Sequence, residues 1–223
     1  MRIRPVGAHA LLLDCTAPAD IPEAALVEAW RAELWRRRER GDLIAVEIVP
    51  AARTVLLDGL PDPTTTAEQL TRWASAVTRA RGAAELRDAT TEGGADDAAD
   101  VFVPVTFDGP DLAAVAEHWG VDVPAVRHRL TSTRFRVAFC GFAPGFPYLT
   151  GLPADLALPR LATPRPRVPA GSVALAGPYA GIYPGASPGG WLLVGRTDLV
   201  LFDVAADPPA RLGPGTTVRM VAA

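Results

Sequence analysis

Lysine and asparagine are both missing from the 223 residues, and glutamine occurs once, as Gln69. All 22 basic residues are therefore arginine. The lack of lysine excludes a phosphate-binding P-loop lysine, Schiff-base chemistry and a kinase-type lysine. Any nucleotide handled by this chain must be held by arginine, by backbone amides or by a partner protein. Nucleotide bias in a GC-rich genome accounts for the skew itself. Cysteine is scarce: Cys15 and Cys140 stand far apart, make no disulfide framework and fit a reducing cytoplasm. No run of about 18 apolar residues occurs, so no membrane-spanning helix is expected. The opening MRIRPVGAHALLLDC has a short apolar stretch but no small-residue cleavage site, and reads as mature protein rather than a signal peptide. A large excess of one charge is also absent. A net charge of −3 and a pI near 5.6 argue against bulk binding of nucleic acid or anionic membrane. What is present, 49% hydrophobic and 21% charged residues, suits one large or two small globular domains with a real core.

The charge is unevenly spread. Residues 1–133 hold 14 Arg against 21 Asp and Glu, and residues 134–223 hold 8 Arg against 4. From Leu156 to Thr197 there is no acidic residue, yet Arg160, Arg165, Arg167 and Arg196 fall there, among many Pro and Gly. Two domains with different jobs are expected. In the first, Ala10–Cys15 reads as a strand. Pro22–Arg40 reads as a helix with Leu26, Trp30 and Leu34 on one face and Trp35 beside them, stopped by Gly41. Leu43–Val49 and Thr54–Asp58 read as strands. Thr66–Arg81 reads as a second helix, with Leu70, Trp73, Ala74 and Val77 on one side and Gly82 closing it. Val101–Phe107 reads as the last strand, after an acidic, mobile loop at Ala89–Asp100. The order β-α-β-β-α-β is the split βαβ pattern of a ferredoxin-like domain, here residues 1–107.

Residues 108–133 read as a helical connector: Leu112, Val115 and Ala116 pack one helix, Val126 and Leu130 the other, with a Gly turn between. The pair resembles a DNA-reading helix-turn-helix, with Arg127, His128 and Arg129 on its second helix. Its acidic surroundings favour an αα-hairpin joining two domains. Residues 134–223 have short apolar runs between Gly and Pro turns. Phe135–Cys140, Ser172–Ala176, Trp191–Val194, Leu199–Phe202 and Thr217–Val221 are the expected strands of an all-β barrel.

Two segments carry the chemistry. In Cys140–Pro153, Gly141, Gly145 and Gly151 open unusual backbone angles, and Pro144, Pro147 and Pro153 fix others. Phe142, Phe146 and Tyr148 then stand on a stiffened loop, as ligand surface or as a barrel plug. In Thr163–Asp198, arginines lie between prolines; Arg suits bidentate capture of carboxylate or phosphate. With no acid in the run, an anionic ligand or an acidic partner face is expected. Asp198 is a neighbour that Arg196 can pair with.

These stretches resemble the family of allophanate hydrolase subunit 1, also called KipI, or the 5-oxoprolinase B subunit. The motifs are Gly141-Phe142-Ala143-Pro144-Gly145-Phe146-Pro147-Tyr148-Leu149, Ala162-Thr163-Pro164-Arg165, Arg167-Val168-Pro169-Ala170-Gly171-Ser172-Val173, Gly181-Ile182-Tyr183-Pro184, Ser187-Pro188-Gly189-Gly190-Trp191 and Gly195-Arg196-Thr197, with Gly109-Pro110-Asp111-Leu112 upstream. The resemblance is strong from Phe107 onward. It implies a cyclophilin-like β-barrel after a small α/β domain, in a cytoplasmic, heteromeric 5-oxoprolinase. Its implied partners are a homologous subunit 2 (the C subunit) and a third, LamB/YcsF-type protein (the A subunit). It also implies hydrolysis of a small-molecule amide, 5-oxo-L-proline, to L-glutamate with ATP and Mg2+, the nucleotide held at this chain or at the partner. A KipI-type inhibitor of a histidine kinase and a subunit of an allophanate or urea-derivative amidohydrolase are the alternatives.

ATP turns a lactam carbonyl oxygen into a phosphate leaving group, which calls for cations around developing charge and a dry pocket. Arg160, Arg165, Arg167 and Arg196 are the candidates for anion binding. Tyr148, Tyr183 and Ser172 are the candidates to orient substrate. Gly141, Phe142, Pro144, Gly145, Phe146 and Pro147 form the loop beside them. No carboxylate pair or Ser–His–Asp arrangement is legible, and His9, His118 and His128 are too scattered for a metal site. The chain therefore reads as half of a site, completed by its partner, with no nucleic acid and no membrane involved.

Overall fold

A computed structural model of the chain describes residues 1–16, 23–90 and 100–223, the stretch 78–90 as backbone only. The chain divides into two compact units, Met1–Asp97 and Ala98–Ala223.

In the first unit, β1 (Arg2–Val6), β2 (Ala10–Asp14), β3 (Glu47–Pro50) and β4 (Thr54–Asp58) form an antiparallel sheet in the order β1-β2-β4-β3. Alternation puts Leu11 and Leu13 of β2, Val55 and Leu57 of β4 and Ile48 of β3 into one core. Two helices complete it, α1 (Glu23–Glu39) with Val27, Trp30 and Leu34, and α2 (Pro63–Thr90) with Leu70 and Val77. Trp35 is 38% exposed and lies under the Arg38 guanidinium, 3.9 Å from its ring centre. Helix α2 begins earlier than the expected Thr66: Pro63 takes its first position, and Asp62 accepts the Thr65 N–H at 3.1 Å. It runs on through Gly82, so that glycine does not close it. Of the acidic loop expected at Ala89–Asp100, positions 91–99 lie outside the described residues.

The ferredoxin-like expectation is corrected at its last strand. The split βαβ pattern returns that strand to a place beside the first. Here that place beside β2 is taken by β1, a hairpin partner overlooked because Pro5 and two arginines break its apolar pattern. Val101–Val105, strand β5, belongs instead to the second unit, so the expected boundary at 107 moves upstream.

That second unit continues with α3 (Leu112–Trp119), α4 (Val123–Ser132), β6 (Arg134–Cys140), β7 (Pro147–Thr150), β8 (Arg165–Val168), β9 (Ser172–Ala176), β10 (Tyr179–Ile182), β11 (Ser187–Gly189), β12 (Leu192–Arg196) and β13 (Thr217–Ala222). Seven strands form one mixed sheet, ordered β12-β9-β10-β7-β6-β13-β5, in which only β13 and β5 run parallel. Beyond β5, Thr106 exchanges two 2.9 Å backbone hydrogen bonds with Arg196 of β12, so the sheet curls into a nearly closed barrel. Every strand of it contributes to one core, from Val103 and Val105 to Val218 and Met220. β8 and β11 pair separately as a two-stranded ribbon. Leu199–Phe202 is not a strand; Phe202 makes a single bridge to Ala210.

The helical connector is also revised. Leu112, Val115 and Ala116 of α3 and Val126 and Leu130 of α4 are part of the barrel core, so residues 108–133 are built into the second unit. Two cations of the presumed reading helix are used internally. Arg127 donates to the Phe107 carbonyl at 3.0 Å, and the Arg129 guanidinium sits 5.5 Å from the Trp119 ring centre. Among the described residues no helix is long and apolar enough to cross a membrane.

Candidate functional site

Strand β9 is buried on both faces. Val173 and Leu175 point into the barrel core, and Ala174 and Ala176 point the other way, into a second cluster with Phe146, Val168, Tyr183, Trp191 and Leu193. Small side chains form the floor of this outer cluster, and that lets large rings lie on the sheet. At Gly181 of β10, a Cβ would come within 2.9 Å of both Phe146 and Trp191, so only glycine fits beneath the rings. The ribbon then lies over Tyr183, whose hydroxyl packs against the backbone of Gly189.

Seven rings form a continuous network on this floor. Phe146 is central and buried, meeting Tyr148 and Tyr183 at 5.1 Å, Phe142 at 5.4 Å and Trp191 at 5.5 Å between centroids. Tyr148 extends the network by stacking on Phe139 at 4.3 Å and meeting Tyr179 edge-on at 5.6 Å. Phe146 is thus core, but of the cluster outside the barrel and not of a plug within it, whereas Phe142 is 62% exposed. The loop between them is closed on itself: Ala143 N–H donates to Gly141 O at 2.8 Å, Phe146 N–H to Ala143 O at 3.0 Å, and Gly141 N–H to Phe146 O at 3.2 Å. Pro144 is exposed on it, Gly145 packs against Phe202, and Pro147 starts β7.

Burial pushes the phenols of Tyr148 and Tyr183 above the ordinary tyrosine value, with Tyr148 adding to the shift at Tyr183. The charge of Arg160 opposes the shift at both, and that of Arg165 at Tyr183. Both rings therefore stay neutral hydrogen-bond donors at physiological pH. Neither hydroxyl has a hydrogen-bond partner among the described residues. Ser172 is buried directly beneath, its carbonyl accepting the Tyr183 N–H at 3.0 Å.

The four arginines separate into two kinds. Arg160 and Arg167 are exposed and have no ion-pair partner among the described residues. Arg165 is not a free cation. Its terminal nitrogen donates to both oxygens of Asp111, at 2.7 and 2.8 Å, and its other one to the Trp191 carbonyl at 3.3 Å. The acid-free run made Arg165 look available, but Asp111 arrives from the start of α3, 54 positions away, and also accepts the Leu193 N–H at 2.7 Å. Arg196 lies elsewhere. It pairs with Asp108 at 2.9 Å rather than with Asp198, and lines a cavity of about 300 Å³ at the barrel seam with Pro104, Thr106, Thr197, Asp198, Leu199 and Ala223.

The aromatic face thus gathers Phe142, Phe146, Tyr148, Tyr183 and Ser172, within the electrostatic reach of Arg160 and Arg165. Trp191 and Asp111, each part of a quoted motif without a role, prove to be its floor and its anchor. Ring size marks Trp191; nothing local in the sequence marks the partner of Asp111. Among the described residues no three His, Cys, Asp or Glu converge to hold a metal ion.

Known proteins bear on this geometry. Residues 1–212 match the family described as carboxyltransferase domain, subdomain C and D. The 5-oxoprolinase B subunit of Escherichia coli O157:H7 is 51% identical over 124 residues, and that of Bacillus subtilis (strain 168) 43% over 124 residues. These matches cover 54% of this chain and 57% and 52% of the relatives, a little over half the length of each. The 5-oxoprolinase B subunit of Haemophilus influenzae is 32% identical over 99% of this chain and 97% of its own length. Among solved structures, TTHA0988 is similar with a TM-score of 0.68 and 31% identity over 97% of this chain and 40% of that one. PH0987 from Pyrococcus horikoshii has a TM-score of 0.53 and 31% identity, covering 100% of this chain and 97% of that one. The Kluyveromyces lactis urea amidolyase, 20% identical with a TM-score of 0.64 over 99% of this chain and 15% of that one, shares the fold.

Proposed function

The chain belongs to the carboxyltransferase subdomain C and D family, and we propose that it is the B subunit of an ATP-dependent 5-oxoprolinase, opening 5-oxo-L-proline to L-glutamate. The observation that carries this reading is the Haemophilus influenzae relative, named as the B subunit of 5-oxoprolinase and aligned over nearly the whole of both chains. The barrel is read as cyclophilin-like, the location as cytoplasmic, and the partners as a subunit 2 homologue and a LamB/YcsF-type protein.

The outer aromatic face supports a role in binding rather than in proton transfer. It offers one unpaired cation, Arg160, and one accessible neutral phenol donor, Tyr148, while the unpaired Arg167 stands on the β8–β11 ribbon. In this reading the arginines hold the carboxylate of the lactam or the phosphate that ATP places on its carbonyl oxygen. Charge-assisted contacts of this kind stabilise charge that develops as the phosphate forms and leaves. Arg165, tied to Asp111, positions the ribbon that carries Arg167. Among the described residues no three His, Cys, Asp or Glu converge, and in this reading Mg2+ comes with the ATP phosphates, at this chain or at the partner. The buried rings exclude water from one side of the site, and the partner supplies the remaining groups.

The test is co-expression with the subunit 2 and LamB/YcsF-type homologues, followed by size-exclusion chromatography and an assay of glutamate release from 5-oxo-L-proline. Co-elution with ATP-dependent release is expected, and little turnover by this chain alone. A complex that forms but releases no glutamate overturns the reading, as does full turnover without partners.

A further inference from the structure

Phe142 is the one described residue other than glycine with a positive φ, at +68°. Bulky side chains avoid this left-handed region, because Cβ crowds the following carbonyl. Gly141, which adopts such angles freely, is adjacent and does not take the turn. The strain therefore falls on the residue with the large ring. That ring is also 62% exposed, although it touches Phe146 edge-on at 5.4 Å and Tyr183 at 6.2 Å. A strained backbone that buried its side chain would be explained by packing. Here the three hydrogen bonds of the 141–146 loop hold an apolar ring out in water, and neither the backbone nor the hydrophobic effect gains from it. Observed strain of this kind clusters where a ligand is bound.

Its surroundings define what such a ring receives. Beside it lie the rings of Phe146 and of the nearly buried Tyr183; the half-buried Tyr148, whose hydroxyl has no partner among the described residues, packs on the same Phe146 ring, and the charge of Arg160 reaches its phenol. A flat face, a hydroxyl donor and an unpaired cation together suit a small ring with a flat amide face, an acceptor oxygen and an anionic group. We infer that Phe142 is the stacking face for the flat amide of a carboxylate-bearing lactam ring, held with that ring over the Tyr183 side of the aromatic floor. This rests on the oxoprolinase reading above and places the lactam, rather than the nucleotide base, on this chain.

The experiment compares the wild type with Phe142→Gly, Phe142→Ala and Phe142→Tyr in the reconstituted complex. Melting of the full chain is read without ligand, and kcat and KM are read separately for 5-oxo-L-proline and ATP. Gly and Ala both remove the ring, but only Gly relieves the backbone, so Phe142→Gly melts above Phe142→Ala. Both raise KM for 5-oxo-L-proline by roughly twofold to tenfold, the usual worth of one aromatic contact, with KM for ATP unchanged. Phe142→Tyr keeps the wild-type KM. An unchanged lactam KM in a functioning Phe142→Gly complex overturns the inference while leaving the oxoprolinase reading intact. A raised KM for ATP alone assigns the ring to the nucleotide, and loss of co-elution assigns it to the interface with a partner; either overturns it. A wild-type complex with no turnover overturns both readings.

Discussion

At the scale of single residues, the pair Arg165–Asp111 and the lone Arg167 make a controlled contrast. They lie on or beside one short strand, and both arginines are held between prolines. The Arg165 and Asp111 side chains are 25% and 13% exposed, so removing either leaves a poorly solvated charge. Arg165→Ala and Asp111→Ala are each expected to lower stability by about 1.5–3 kcal/mol. Arg167→Ala is expected to leave the melting temperature within about 1 °C and to lower turnover of the complex about tenfold to a hundredfold. Arg167→Lys recovers part of the loss, because a point charge does not reproduce the planar fork. Chemical denaturation and kinetics of the four variants check this; equal stability losses at Arg165 and Arg167 would refute the division of roles. The same pair marks how far local reading reaches. The identity of the arginines, and their freedom from acids nearby in sequence, were visible. Whether a carboxylate from another element would meet them was not, because an ion pair spanning 54 positions is a property of the folded barrel.

At the scale of elements, β5 is tied in place by Asp100 just ahead of it. Asp100 accepts from Arg134 at the start of β6 and from Arg219 of β13, both at 3.1 Å. Partial burial opposes its ionisation, but the two arginine hydrogen bonds outweigh it and hold the carboxyl below the usual range. A lowered folded pKa adds stability that is present above the unfolded value, about 3.9, and is lost as pH falls through the folded one. Asp100→Asn is therefore expected to be less stable than wild type at pH 7, with the gap closing below about pH 4. Denaturation curves at pH 7 and at successively lower pH read this directly, and a gap that fails to narrow below pH 4 would contradict it. Elements free of Pro and Gly were legible: α1, β4 and β9 fall within a residue or two of where periodicity places them. The overlooked β1, β7, β8, β10 and β11 are three to five residues long and rich in Pro or Gly, so no alternation develops. For β5 the strand itself was evident but its partner was not, since side-chain pattern reports burial and not which edge a strand joins.

At the scale of the whole barrel, closure rests on few bonds. Thr106 and Arg196 are a single bridge, and Gly109 and Asp111 N–H groups continue it onto Val194 and Leu193 at 3.3 and 3.0 Å. Thr106→Pro removes the donor that meets Arg196 O. It is expected to open the seam, raising amide exchange at Arg196 and along β5 while β9 and β10 stay protected. Unchanged exchange at Arg196 would show that the helix-side bonds suffice. The uneven charge pointed to more than one unit, and the chain divides into two. Where they divide was not legible, because β5 resembles any other half-buried strand and only its pairing reveals its allegiance.

The parallel pairing of β5 with β13 has a consequence for how the molecule is made. Val101 meets Val218 and Val105 meets Ala222, so each rung joins positions 117 residues apart. A ribosome adding about 5–20 residues per second delivers the second strand roughly 6–23 s after the first. During that interval β5 has emerged with Val103 and Val105 bound for a core whose far wall does not yet exist. The nascent barrel thus waits with one apolar margin uncovered, and nearby chaperones or a co-translated partner have seconds in which to reach it. Slow, late closure of this kind links folding yield to translation speed as well as to the stability of the finished protein.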